Sequence, residues 1–210
     1  MSEIDQIAAE VRGCQRCPLA RGRTNAVPGE GPADAEIMFI GEGPGFHEDR
    51  QGRPFVGKSG QLLESLLGSI GMTRDQVFIA NVVKCRPPEN RDPLPAEIEA
   101  CTPYLDRQEA AIKPKIIVTL GRFSMQRYFP GQSITRIHGQ VKLKGNTACV
   151  AMFHPAAALR NPQWMTEIRN DFAQLPALLD KMRNTATPPA PSVAPPSAPP
   201  PDDFEQLSLF

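Results

Sequence analysis

The sequence contains no long apolar run and no surplus of either charge. Its amino terminus, "MSEIDQIAAEV", is acidic and amphipathic, so it lacks the basic start of an export signal and the continuous apolar stretch of a membrane helix. A cytoplasmic protein with no membrane partner is expected. Lys plus Arg number 23 and Asp plus Glu number 23, a balance that by itself points to no polyanionic partner. Residues 184 to 210 contain no Lys or Arg but hold Asp202, Asp203 and Glu205, which leaves the body with 23 basic and 20 acidic residues. That mild excess permits a nucleic-acid partner without arguing for one. No internal repeat is apparent.

What is present is enough apolar material for one core, 40% of 210 residues. It falls in four short runs: "AEIMFIGE" (35–42), "QVFIANVVK" (76–84), "KIIVTLG" (115–121) and "TACVAMFHP" (147–155). Each is rich in Val, Ile or Phe and nearly unbroken, as expected of strands covered on both faces. Helical patterns lie between them, among them "SGQLLESLLGSIGM" and "LPAEIEACTPYLDRQEAAIK"; a last one, "PQWMTEIRNDFAQLPALLDKM", should bend near Pro176. The alternation predicts an α/β fold, a three-layer α/β/α sandwich around a mainly parallel four-stranded sheet. After Asn184 the composition changes to "TATPPAPSVAPPSAPPP", which predicts a disordered Pro/Ala-rich linker over 184–204 following one domain over 1–183.

The stretch "GRPFVGKS", Gly52 to Ser59, fits the phosphate-loop pattern G-x-x-x-x-G-K-[ST]. Its context does not. A phosphate loop is fed by a buried strand, and "FHEDRQ" cannot be one. Pro54 removes an N–H that a phosphate cradle needs, and Phe55 puts a large ring where small residues allow close approach. No acidic residue closing another strand is evident as a magnesium partner. A nucleotide hydrolase is therefore a poor reading.

In an open parallel sheet, ligands bind beyond the carboxyl ends of the strands. There the first run delivers Gly41, Glu42, Gly43, Pro44 and Gly45, the second Asn81 and the fourth His154. Singly these are a turn, a turn former and a helix cap; jointly they suit a small planar heterocycle. The Asn81 amide offers a donor and an acceptor in one plane, matching a pyrimidine's carbonyl and ring N–H. Phe55 would stack on the base, while backbone N–H groups near Glu42 and a His154 nitrogen would hold a carbonyl oxygen that gains negative charge as a bond breaks. Glu48 or Asp49, beside this loop, would place a water.

Four of the five cysteines form a pattern: Cys14 and Cys17 in "CQRCPLA", Cys85 in "KCRPPENR" and Cys101 in "EACTPY". Four thiolates suffice for a [4Fe-4S] cluster or a structural zinc, either of which would brace the loop after Asn81. Cys149, inside a predicted strand, reads as a small core residue.

The blocks "GEGPGFHEDRQGRPFVGKSGQLL", "NVVKCRPPENRDP" and "FHPAAALRNP", with the four cysteines, resemble in order and spacing the iron-sulfur uracil-DNA glycosylases known as family four. The resemblance spans residues 3 to 183. It implies an enzyme that flips uracil out of DNA and hydrolyses its N-glycosidic bond, with a [4Fe-4S] cluster on Cys14, Cys17, Cys85 and Cys101; a monomer is expected. It also implies that Phe55 stacks on the base, Asn81 reads its edge, His154 holds O2, and Gly41, Glu42 and Gly43 line the pocket. Glu48 is the expected water-orienting carboxylate, ahead of Glu42 and Asp49, and Leu159, Arg160 and Asn161 resemble the loop that enters the duplex. A related group links covalently to uracil sites; it has a Gln where this chain has Gly43 and a His after its Asn-bearing strand, where none falls between Asn81 and Pro95 here, so ordinary turnover is expected. A noncatalytic iron-sulfur nucleic-acid binder would keep the cysteines but has no need of Phe55, Asn81 and His154 together.

The ending "QLSLF" resembles the peptide by which bacterial repair proteins bind the sliding clamp, with Gln206, Leu207, Leu209 and Phe210 as its anchors within 205–210.

Overall fold

A computed structural model describes residues 2–185. The expected clamp peptide and nearly all of the expected linker lie outside the described residues. Those residues build one sheet with helices on both faces, and each strand earns its place by alternation. In β1 (Ile37–Gly41), Ile37 and Phe39 face one helical layer while Met38 and Ile40 face the other. β2 (Phe78–Asn81), β3 (Ile116–Leu120) and β5 (Thr147–Met152) are buried on both faces in the same way. These four run parallel, in the order β2-β1-β3-β5.

The sheet has a fifth strand, which corrects the expected count of four. β4 (Val141–Lys144) pairs antiparallel with β5 at the edge, and all four of its residues are exposed. A strand of "VKLK" with nothing over it has no apolar run to announce it, and its lysines suit an open edge.

On one face lie α1 (Glu3–Gly13), with Ile7 and Val11 buried, and α4 (Pro95–Ile112), with Cys101, Tyr104 and Leu105 buried. Two short helices, α5 (Arg122–Gln126) and α6 (Ile134–Ile137), precede β4. The opposite face carries α3 (Lys58–Ser69), α8 (Pro162–Ala173) and α9 (Leu175–Asn184), whose Leu63, Leu67, Ile168, Phe172 and Leu179 are buried. The break between α8 and α9 falls where Pro176 forbids continuation. None of the described helices is long and apolar enough to cross a membrane.

Because β2 lies to one side of β1 and β3 to the other, the loops leaving β1 and β2 diverge from those leaving β3 and β5. A crevice opens at their carboxyl ends.

Candidate active site

That crevice is a cleft of about 390 Å³ whose lining includes Glu42, Glu48, Phe55, Asn81, His154 and Arg160. Gly41 and Asn81 are register partners on neighbouring strands. A Cβ on Gly41 would run into the Asn81 Oδ1 atom and come within 2.7 Å of the Phe55 ring, so glycine here makes the space in which amide and ring meet. The Asn81 Oδ1 atom is buried and has no hydrogen-bond partner among the described residues. Buried acceptors are nearly always satisfied, and an orphan beside a cleft is what a ligand's N–H would complete.

Phe55 is buried, with backbone in the left-handed region at φ 53°, unusual for a bulky residue. Three devices hold it. Arg74 donates to the carbonyls of Phe55 (2.9 Å) and Pro54, and Gly60 lets α3 approach, since a Cβ there would overlap the Phe55 carbonyl. The third is Glu48, in α2 (Phe46–Gln51), whose Oε1 accepts the N–H groups of Val56 and Gly57, both at 2.9 Å. Its Oε2 accepts from Gly45 at 3.2 Å. The N–H groups that a phosphate loop would offer to a nucleotide are thus occupied by a side chain of the protein itself, and a helix, not a strand, precedes the loop. The hydrolase reading fails on both counts.

His154 ends the segment after β5 and caps α7 (Pro155–Ala158): its Nδ1 accepts the N–H of Ala156 at 3.1 Å. Burial pushes its pKa down to about 4, against an opposing pull from Glu48, so the ring is neutral and Nε2 carries the proton. Its ring lies 5.6 Å, centroid to centroid, from that of Phe55. The cleft therefore offers an aromatic face, an unpaired acceptor and a neutral N–H donor.

Among the carboxylates, Glu42 and Glu48 line the cleft and Asp49 does not. Asp49 is buried and accepts the Thr24 N–H at 2.9 Å, tying α2 to the chain before β1. Burial raises the Glu42 pKa, with Asp92 adding to the effect and Arg122 opposing it. Of the three residues expected to enter the duplex, only Arg160 lines the cleft. Leu159 is exposed beside it, and the Asn161 Oδ1 caps α8 by accepting from Gln163 at 2.9 Å. Sequence reasoning missed Asn90 and Arg91, which also line the cleft; the Arg91 guanidinium is held by both Glu97 oxygens at 2.7 and 2.9 Å. His138 sits away from the cleft, paired with Asp171 at 3.0 Å.

Cys14 and Cys17 pack against the core cluster that holds Cys85 and Cys101. Three of these sulfurs accept N–H groups: Cys101 from the Lys84 backbone (3.2 Å), Cys85 from the Arg23 guanidinium (3.1 Å) and Cys14 from the Arg16 backbone (3.5 Å). Donors aimed at sulfur suit thiolate ligands. As thiols, Cys85 and Cys101 have raised pKa values because they are buried, Cys101 up to about 11. Among the described residues no three metal-binding side chains converge on one point, and a polynuclear cluster, in which each thiolate takes its own iron, does not ask them to. The donor set fits such a group. Cys149 lies buried in β5.

The sequence profile of the Uracil DNA glycosylase superfamily matches residues 28–174, which span the four parallel strands and every cleft residue named above. The chain belongs to that superfamily. Within it, the chain is 51% identical over 185 residues to the type-4 uracil-DNA glycosylase of Sulfurisphaera tokodaii, covering 83% of this chain and 84% of that protein. It is 44% identical to the type-4 enzyme of Archaeoglobus fulgidus, covering 88% of this chain and 98% of that one. Similarity to a type-5 uracil-DNA glycosylase, from Pyrobaculum aerophilum, is lower: 30% identity over 62% of this chain and 65% of that one. The superfamily's α/β sheet here carries the antiparallel edge strand β4.

Proposed function

We propose that this protein is a uracil-DNA glycosylase of the type-4 class, excising uracil in DNA repair and leaving an abasic site. The observation that carries the reading of the site is the orphaned Asn81 Oδ1. Uracil presents an N3–H to it and the O4 carbonyl to the amide's N–H, whereas cytosine has an unprotonated N3 and an amino group at those positions, so both contacts turn repulsive.

Uracil flipped from the duplex would stack on Phe55 with O2 toward the Nε2–H of His154. As water adds to C1′ of the sugar, the C1′–N1 bond breaks and its electron pair passes to the uracil ring, where the His154 N–H stabilises charge growing on O2. The sugar keeps the water's oxygen and the departing uracil acquires a proton. Glu48 is the carboxylate we assign to holding that water: it lines the cleft, and among the described residues Oε2 has one N–H partner. Glu42 is the weaker candidate because burial favours its uncharged form. Arg91 and Arg160, on the same cleft, suit the phosphates flanking the extruded nucleotide.

Cys14, Cys17, Cys85 and Cys101 would hold a [4Fe-4S] cluster. When bound, that group supplies a rigid cross-link between α1, α4 and the loop after β2, which carries Asn90 and Arg91 to the cleft. The peptide at 205–210 remains a proposed clamp-binding element, and its deletion should abolish clamp binding while sparing excision.

The deciding experiment is single-turnover release of free uracil from a duplex with one U·G pair. Wild type should release it, leaving an alkali-labile site and no covalent adduct, and Asn81→Ala should slow release at least ~100-fold. Equal rates for the two proteins would remove Asn81 from the site.

A further inference from the structure

Phe46 is unlike its neighbours. It opens α2 next to Gly45, a cleft residue, yet it is 51% exposed and belongs to no core cluster. Its surroundings are cationic: the Arg86 guanidinium lies 5.2 Å from the ring centroid, that of Arg50 6.0 Å, and His47 meets the ring edge-on. Neither arginine forms an ion pair among the described residues. Arg86 is steered by Asn90, whose Oδ1 accepts from it at 2.7 Å, and both Asn90 and Pro87 line the cleft. An aromatic ring and a guanidinium from α2, and a second guanidinium from the loop after β2, neither of them in an ion pair among the described residues, thus stand next to residues that line the cleft.

Such a grouping has little value to the fold, since an exposed ring gains only part of its burial energy and both arginines carry unneutralised charge. It is the combination that grips a nucleic-acid strand without reading its sequence, stacking for the bases and cations for the phosphates. We infer that Phe46, Arg50 and Arg86 form a second DNA contact, which holds an unstacked nucleotide of the strand flanking the extruded uridine. A base displaces the more distant Arg50 guanidinium from the ring, and both arginines turn to the flanking phosphates. The placement beside the cleft rests on the glycosylase reading, but the strand contact itself does not require excision.

The test is fluorescence anisotropy of the full chain with two uracil-free probes, a single-stranded oligonucleotide and a duplex, alongside steady-state kinetics on a U·G duplex. Phe46→Ala should weaken single-strand binding about tenfold and act on KM more than on kcat, and Phe46→Trp should restore both. R50Q combined with R86Q should lower the slope of log affinity against log salt by about 1.4 on single strands. Wild-type affinity, KM and salt slope in these variants would overturn the inference. If wild type itself released no uracil, the glycosylase reading would fall, while loss of uracil-free DNA binding in Phe46→Ala would still support the strand contact.

Discussion

His154 shows how one buried side chain ties stability to chemistry. Its folded pKa of about 4 lies below the unfolded value near 6.5, so between those limits the unfolded chain binds the extra proton. The neutral ring's contribution is fully present above pH 6.5 and is lost as pH falls toward 4, to a total of roughly 3 kcal/mol. The same depression should keep the Nε2–H donor in its working form well into mild acid. Excision by wild type should accordingly show no inflection near pH 6.5 from this residue, and His154→Ala should reduce the single-turnover rate about a hundredfold with little loss of DNA binding. An unchanged rate in that variant would take His154 out of the reaction. Lys84 lies deeper, its Nζ bonded to the Asn81 carbonyl (2.9 Å) and to Gln108 Oε1 (2.6 Å), with burial lowering its pKa to about 8. The Asn81 backbone is thus held from behind by a buried lysine.

At the scale of elements, the loop between α2 and α3 is the least forgiving part of the site. Gly60 should tolerate no side chain, because a Cβ there meets backbone rather than a side chain that could swing aside. Gly60→Ala is expected to displace Phe55, raise KM and slow excision, and to lower the melting temperature by several degrees, as a strain of about 1–3 kcal/mol would in a chain of this size. A variant indistinguishable from wild type in both readouts would show that Phe55 is not held by this packing. Four strands and the main helices were legible because burial on both faces leaves unbroken apolar runs, and Gly41, Asn81 and His154 were legible because the sheet's carboxyl edge is predictable once its strands are. β4 was not, since its exposed side chains follow no buried pattern. Neither were Asn90 and Arg91, which reach the cleft because Glu89 and Asn90 adopt left-handed backbone (φ 53° and 55°), a turn that "PPENR" does not announce. Glu48 was legible as a cleft carboxylate, but its grip on Val56 and Gly57 was not, because those partners come from a loop whose path only the packed structure defines.

Across the whole molecule, the four cysteines we assign to the cluster come from the end of the amino-terminal helix and the residues just after it, from the loop after β2 and from α4. Cys101→Ala should reduce bound iron and sulfide together, bleach any visible colour, lower the melting temperature and weaken excision through disorder after β2. Full iron content with normal stability would argue that Cys101 is no ligand. The two sides of the cleft are separated along the polypeptide as well as in space. The stacking ring and the amide lie in the first 81 residues, and the imidazole arrives only after β5 has docked between β3 and β4. During synthesis on the ribosome, therefore, an emerging chain has no imidazole to draw charge onto a pyrimidine until β5 has been made, and the reaction we propose needs the sheet complete.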